Sequence, residues 1–281
     1  MTPAPLTVAG LQVAAREPGD VRAQAEAAAG PVEKAASRGA RLAVLPELYL
    51  CGYDLDVVTR PGVALDAETL ESGGLDGVDS PVRPLILLTQ RHPVAVLVGA
   101  AVRQVDGRLT ISTLLVRDGT VRLAYDKQHL DGDEQSVFDH GDGGALLEVD
   151  GWGVGLGVCY DVLFPEHARA AAEAGALVYA VSMAYRTGAE HRRDLAVRAR
   201  ALDNGLWVVA SGLVGDSGIG PVSGGTAVVD PEGRVVEAVP DGQEGLVVRT
   251  LHADVVTATR TAHAMGADRR ADLGSVRRVA G

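Results

Sequence analysis

The chain has 281 residues, 47% of them hydrophobic and 22% charged, and no run approaches the ~20 consecutive apolar residues of a membrane-spanning helix. Its 26 Lys+Arg against 37 Asp+Glu give a net charge of −11, the wrong sign for gathering phosphates, so neither nucleic acid nor membrane is an expected partner. Cys51 and Cys159 are the two cysteines, too few for a disulfide framework and without Cys or His at zinc-ligand spacing. The opening Met-Thr-Pro-Ala-Pro lacks the basic region and cleavage site of a signal peptide, and a reduced, cytoplasmic setting is expected. No composition shift, linker or fixed-period repeat divides the chain, so one domain over 1–281 is expected.

β-branched apolar runs bounded by Gly, Asp or Pro predict strands over 6–14, 42–45, 94–102, 110–116, 121–125 and 145–149. Further runs lie at 153–158, 177–182, 206–213, 226–229, 235–239 and 245–250. Apolar i, i+3, i+4 spacing predicts helices over 21–37, 81–90, 165–174 and 189–204, with Pro81 and Pro165 in first turns and Gly175 after a C-cap. Turn chemistry at Asp118-Gly119 and at Asp230-Pro231-Glu232-Gly233 predicts hairpins. Several strands follow one another between 94 and 158 without a helix, which breaks the alternation of a (β/α)8 barrel and favours a layered sandwich of mixed sheets with outer helices. Residues 251–281 are more polar, with Arg269, Arg270, Arg277 and Arg278, and read as a surface tail or docking arm.

Cys159 stands where the apolar run 153–158 gives way to a helix, an elbow that presents a side chain and places a thiol near backbone N–H groups that lower its pKa. Two charged residues end other strands: Glu47 after Arg41-Leu-Ala-Val-Leu-Pro46, and Lys127 after Val121-Arg-Leu-Ala-Tyr125-Asp126. A carboxylate, an ammonium and a thiol at three strand ends make a set able to deprotonate the thiol and steady a developing oxyanion. Cys51, four residues after Glu47, reads as packing, and His129, two after Lys127, as a histidine anchoring its loop. Gly153-Val154-Gly155-Leu156-Gly157 lies inside an apolar strand and lacks the spacing of a dinucleotide loop.

Three segments, Leu45-Pro46-Glu47-Leu48-Tyr49, Tyr125-Asp126-Lys127-Gln128-His129-Leu130 and Cys159-Tyr160-Asp161-Val162-Leu163-Phe164-Pro165-Glu166, resemble in order and separation the signature blocks of the carbon–nitrogen hydrolase (nitrilase) superfamily. Glu134 within 132–138, Arg198 to Asn204 and Gly224 to Gly233 extend the likeness over about residues 5–250. The resemblance implies an α/β fold, a four-layer αββα sandwich of two mixed sheets with outer helices. It also implies a Cys159 that attacks an amide or nitrile carbon to give a thioester, with ammonia leaving. On it, Glu47 is the general base, Lys127 polarises the intermediate, Glu134 orients Lys127 and substrate, and the backbone N–H of Tyr160 completes the oxyanion site. It implies no cofactor or metal, and association into a homodimer or a larger even homo-oligomer.

The sequence departs from the family at Leu163, where Arg is frequent, and at Asp203, where Glu is frequent. Loss of a cation beside the cysteine favours a small neutral aliphatic or amino-acid amide over the carboxylate-bearing substrates of N-carbamoyl amino acid amidohydrolases and ω-amidases. A nitrilase, or a catalytically silent binding protein of the same fold, are the other readings. Tyr53, Met183 and Tyr185 follow strand ends and are candidate pocket walls.

Overall fold

The computed structural model describes residues 2–73, 77–270 and 272–279. The first half of the chain runs β1 (Leu6–Gln12), α1 (Val21–Ser37), β2 (Leu42–Val44), β3 (Leu65–Asp66), α2 (Ala67–Glu71), α3 (Arg83–Arg91), β4 (Ala95–Arg103), β5 (Leu109–Arg117) and β6 (Thr120–Asp126). The second runs β7 (Leu146–Val149), β8 (Trp152–Val158), α4 (Pro165–Glu173), β9 (Val178–Met183), α5 (Glu190–Asn204), β10 (Trp207–Gly212), β11 (Val214–Ser217), β12 (Gly220–Ser223), β13 (Ala227–Val229) and β14 (Val235–Ala238). β15 (Gly245–Leu251), α6 (Ala253–Ala262) and α7 (Met265–Asp268) close it.

The local reasons are those the sequence suggests. The Asp20 carboxylate accepts from the Ala23 N–H and starts α1, whose stripe of Val21, Gln24, Ala25, Ala28, Val32 and Ala35 is buried at helical spacing. Asp118 and Gly119 both take positive φ between β5 and β6, as a two-residue hairpin requires. The Pro81 expectation is corrected: α3 begins at Arg83, and its first-turn proline is Pro84.

Two sheets result, with strand orders β15-β1-β2-β4-β5-β6 (β3 joining β4) and β14-β13-β10-β9-β8-β7. Along each order three consecutive strands are parallel, with two antiparallel strands beyond one end and one beyond the other, and β3 adds a further parallel pairing to β4. The two halves thus share a topology without sharing a sequence period. α1 and α3 cover the first sheet and α4 and α5 the second, while β1 and β2 face β9 and β10. The layers are therefore α, β, β, α. Ser211 Oγ donates to Leu11 O across the sheet interface at 2.6 Å.

The glycines of β8 are packing devices. A Cβ on Gly157 would sit 2.1 Å from the Tyr179 hydroxyl, and one on Gly155 2.6 Å from the Ala171 Cβ of α4. The tail expectation is corrected for its first part. α6 buries Ala253, Val256 and Thr259, which recur every third residue and so share one face, and Arg260 donates to the carbonyls of Asn204, Gly205 and Ala176. The hairpin β11–β12 had no signal in the sequence, its strands being four residues each and rich in Gly, Ser and Asp. No helix of the described residues is long and apolar enough to cross a membrane.

Candidate active site

The parallel strands of both sheets, and β6 with them, carry their side chains' charges to one end of the sandwich. Glu47 follows β2, Lys127 follows β6 and Cys159 follows β8. The Glu47 segment runs against β4 so closely that a Cβ on Gly99 would lie 2.4 Å from Pro46 O and Leu48 N. Five described non-glycine residues have left-handed backbone; Asp118 and Asp150 are in hairpin turns, but Leu48, Tyr53 and Cys159 adjoin this cluster. Cys159, at φ +42°, sits on a 3₁₀ turn (Cys159–Leu163) rather than on the first turn of α4. Such a conformation costs on the order of 1–3 kcal/mol and persists only where packing imposes it.

Lys127 is fully buried, and its ammonium donates to Glu47 Oε1 at 2.7 Å and to Glu134 Oε1 and Oε2 at 2.6 and 2.7 Å. Glu134, on a short 3₁₀ turn (Glu134–Ser136), also accepts from the Tyr53 hydroxyl and, at 2.7 Å, from the Asp131 N–H. Glu47 Oε2 is buried with no hydrogen-bond partner, and Cys159 Sγ lies 3.8 Å from Ala184 O. With both carboxylates ionised, one ammonium against two leaves the cluster net negative, and burial magnifies the effect of each charge.

The electrostatics follow. Burial pushes Glu47 up to about 8 against the pull of Lys127, and the Glu134 charge adds to the rise. Burial alone would lower Lys127, but the two carboxylates outweigh it and hold the ammonium protonated above its ordinary value. Burial, then the Glu47 charge, raises the Cys159 thiol well above its usual value. The expectation of a lowered thiol pKa is therefore corrected. The elbow carries too short a helical turn to offset a buried site with two nearby carboxylates.

A cavity of about 210 Å³ opens onto Cys159 and Glu134. Tyr53, Leu55, Tyr160, Leu163, Tyr185 and Ile219 supply much of its wall, with Asp131, Asp133, Arg186 and Arg192 as its remaining charged residues. The Tyr185 hydroxyl is buried without a partner. Met183 is the expectation that fails: it is fully buried in the core, outside the cavity lining, because the wall begins one residue beyond β9 at Ala184. Sequence reasoning also missed the two arginines. Arg186 bonds Asp133 Oδ2 at 2.7 Å and Ile219 O at 3.2 Å, clasping the Glu134 turn to the β11–β12 hairpin. Leu163 does line the cavity, and the cavity's arginines, Arg186 and Arg192, come from the loop before α5 and from its start. Cys51 is buried and donates to Leu48 O at 3.2 Å, away from the cavity. Among the described residues no group of three His, Cys, Asp or Glu is placed to hold a metal ion.

Residues 7–261 match the carbon–nitrogen hydrolase family model. The chain belongs to the carbon–nitrogen hydrolase family. It is 36% identical over 234 residues to an (R)-stereoselective amidase of a Pseudomonas species, covering 82% of this chain and 79% of that one. It is 30% identical over 255 residues to the chloroplastic omega-amidase of Arabidopsis thaliana, covering 86% and 67%. Among solved structures, an amidase mutant from Nesterenkonia sp. AN1, carrying acrylamide added to its active-site cysteine, superposes with a TM-score of 0.76 at 26% identity over 93% of this chain and 99% of that one. Another mutant of that amidase, in complex with butyramide, gives the same score and identity over 93% and 96%. The four-layer α/β architecture is that of these nitrilase-superfamily amidases.

Proposed function

We propose that the protein hydrolyses the C–N bond of a small, uncharged linear amide, releasing ammonia and the acid through a thioester on Cys159. The observation that carries this reading is the buried Glu47–Lys127–Glu134 cluster beside a cysteine of left-handed backbone that lines a small cavity.

The thiol rests neutral and Glu47, in its ionised form, is the proton acceptor, so attack is base-assisted rather than the work of a standing thiolate. Sγ bonds to the amide carbon as its proton passes to Glu47. The oxygen takes the electron pair of the C=O bond, and the Tyr160 N–H and the Lys127 ammonium stabilise it. Collapse expels the amine with the proton held by Glu47, leaving ammonia and a thioester. Water then gives a proton to Glu47 and attacks the acyl carbon. The second collapse breaks the C–S bond and returns the proton to sulfur. Glu134, pinned by Tyr53 and the Asp131 N–H, holds Lys127 in place and faces the cavity at the same time. Each role asks for a group at hydrogen-bond range in a water-poor pocket, where removal of an oxyanion donor costs roughly 10²–10³ in rate.

The cavity supports a small acyl group, being below the ~300–1,000 Å³ of drug-sized sites. Its rim is balanced, Asp131 and Asp133 against Arg186 and Arg192, which favours an uncharged substrate. A second reading has one observation behind it: among the described residues Arg192 forms no ion pair, and it would suit a substrate carboxylate, as in an N-carbamoyl amino acid or an ω-amide. Ammonia release from short aliphatic amides, amino-acid amides, carboxylate-bearing amides and nitriles, measured on wild type and Cys159→Ala, decides between them. The proposal expects turnover of uncharged amides by wild type alone. Preference for carboxylate-bearing amides would transfer the case to Arg192, and no turnover of any member would leave a binding protein of this fold. A cytoplasmic setting and self-association into an even homo-oligomer belong to the same proposal.

A further inference from the structure

The 3₁₀ turn after Cys159 is tied to a polar network that the reaction scheme does not use. Asp161 is fully buried, and its carboxylate accepts four hydrogen bonds. Oδ2 takes the Val158 N–H at 3.0 Å and the Tyr125 hydroxyl at 2.7 Å. Oδ1 takes the His129 N–H at 2.9 Å and bonds His129 Nδ1 at 2.8 Å. Val158 precedes the cysteine, while Tyr125 and His129 bracket Lys127, two residues away on either side. One carboxylate thus bridges the strand ends that deliver the thiol and the ammonium, which come from different sheets. The network continues inward, since the Tyr125 hydroxyl also bonds His167 Nε2 at 2.8 Å and His167 Nδ1 bonds the Tyr179 hydroxyl at 2.8 Å. His129 stacks on Phe164 with ring centroids 3.8 Å apart, leaving its side chain one-third exposed.

The bond from Val158 N–H to Asp161 closes a ring around the Cys159–Tyr160 peptide. Cys159, at φ +42°, and the Tyr160 N–H lie within that ring. The His129 bonds hold the Lys127 loop against the same carboxylate. We propose that Asp161, with His129 as its side-chain donor, is a positioning residue that fixes the oxyanion-binding N–H and the Lys127 ammonium relative to the Cys159 sulfur. This inference rests on the amidase reading for its kinetic consequence but not for its geometric one. A misplacement of about 1 Å at a reacting group costs on the order of 10²-fold in rate, and the interactions lost here are ones made with the transition state.

The test compares wild type, Asp161→Asn, His129→Ala and His129→Asn by amide turnover and by the rate at which iodoacetamide alkylates Cys159. Asparagine at 161 keeps the shape but turns one acceptor into a donor facing donors. The expected result is a fall of roughly 10²-fold in kcat with KM within about threefold, and slower alkylation. His129→Ala is expected to lose about tenfold in kcat, and His129→Asn, whose side-chain amide can again donate to Asp161, to recover most of it. If Asp161→Asn does not fold, the His129 pair decides alone. Wild-type kcat in Asp161→Asn, or equal impairment of the two His129 variants, overturns the inference. Should wild type turn over no amide, the proposed reaction fails, and alkylation rates still decide the positioning role in the same directions.

Discussion

Replacing Lys127 by methionine is the sharpest probe of the buried charge cluster. Methionine nearly matches the lysine stem in length, so the substitution removes an ammionium-type charge and three hydrogen bonds of 2.6 to 2.7 Å while leaving little cavity. Two carboxylates, on Glu47 at 0% and Glu134 at 2% exposure, then face each other with no cation between them. Removing one partner of a buried pair costs roughly 3–5 kcal/mol. At about 2–4 °C per kcal/mol for a chain of this size, the thermal midpoint should fall by about 6–20 °C near neutral pH. The pH dependence has a definite sign. Burial already lifts Glu47 above its ordinary value against the pull of Lys127, and without that ammonium Glu47 rises further. A carboxyl raised in this way costs nothing when protonated in both states, and its penalty grows as pH rises from the ordinary carboxylate range toward the raised folded value. Wild type carries the same penalty up to about pH 8, where its own Glu47 ionises, so the deficit relative to wild type should change little from about pH 5 to pH 8 and grow from there toward about pH 9, where the variant still holds Glu47 protonated. Differential scanning fluorimetry of both proteins across that range reads it directly. A deficit below about 1 kcal/mol, or one that does not change with pH, would refute the reasoning, since it would mean that the carboxylates reach water or another cation.

Other expectations follow from the same geometry. Glu47→Gln should lower kcat by about 10²–10⁴-fold, the span of general acid–base catalysis, with far less loss of stability than Lys127→Met because a buried charge is removed rather than orphaned; equal stability losses in the two would count against the assignment. Since Glu47 acts as the carboxylate and burial lifts it from 4.5 toward about 8, kcat/KM should rise about tenfold per pH unit on the acid side and level off near that value; a plateau already reached by about pH 5 would exclude Glu47 as the base. Iodoacetamide should label Cys159, which lines the cavity, well before Cys51, which is buried and pushed up to about 12, as peptide mass mapping of the alkylated protein would show; equal rates would contradict the placement of the two thiols. Ile219→Ala should extend the range of acyl chains accepted, read as kcat/KM across a homologous series of amides, because Ile219 at the hairpin tip walls the cavity opposite the strand ends; an unchanged profile would show that the hairpin does not bound the acyl group.

The parts of this molecule that were legible in the sequence are those with a local cause. α1 was readable to the residue because its apolar positions repeat at helical spacing, and the structure adds the Asp20 cap that starts it. The three strand ends that carry Glu47, Lys127 and Cys159 were readable because a charge or thiol directly after an apolar run has few structural uses. What escaped has causes distant in the chain. The clasp of Arg186 on Asp133 joins residues 53 apart, and neither has a local reason to be in a cavity wall. The hairpin that brings Ile219 there is held by its own short ladder and by contact at Gly218, where a Cβ would lie 2.3 Å from Asp54 Cα. Met183 and Tyr185 looked equivalent as residues after a strand, yet the strand continues through Met183 and only the residues past its end face the cavity. The direction of the Cys159 shift was misjudged from the elbow alone, because two carboxylates that raise it come from β2 and from the Glu134 turn.

The most direct measurement is intact and peptide mass spectrometry of the protein quenched in acid during turnover of a short aliphatic amide. A mass gain equal to the acyl group, mapped to the peptide that contains Cys159 and absent from Cys159→Ala, is the predicted result. Ammonia released by wild type with no acyl adduct at Cys159, or with the adduct on Cys51, would contradict the account.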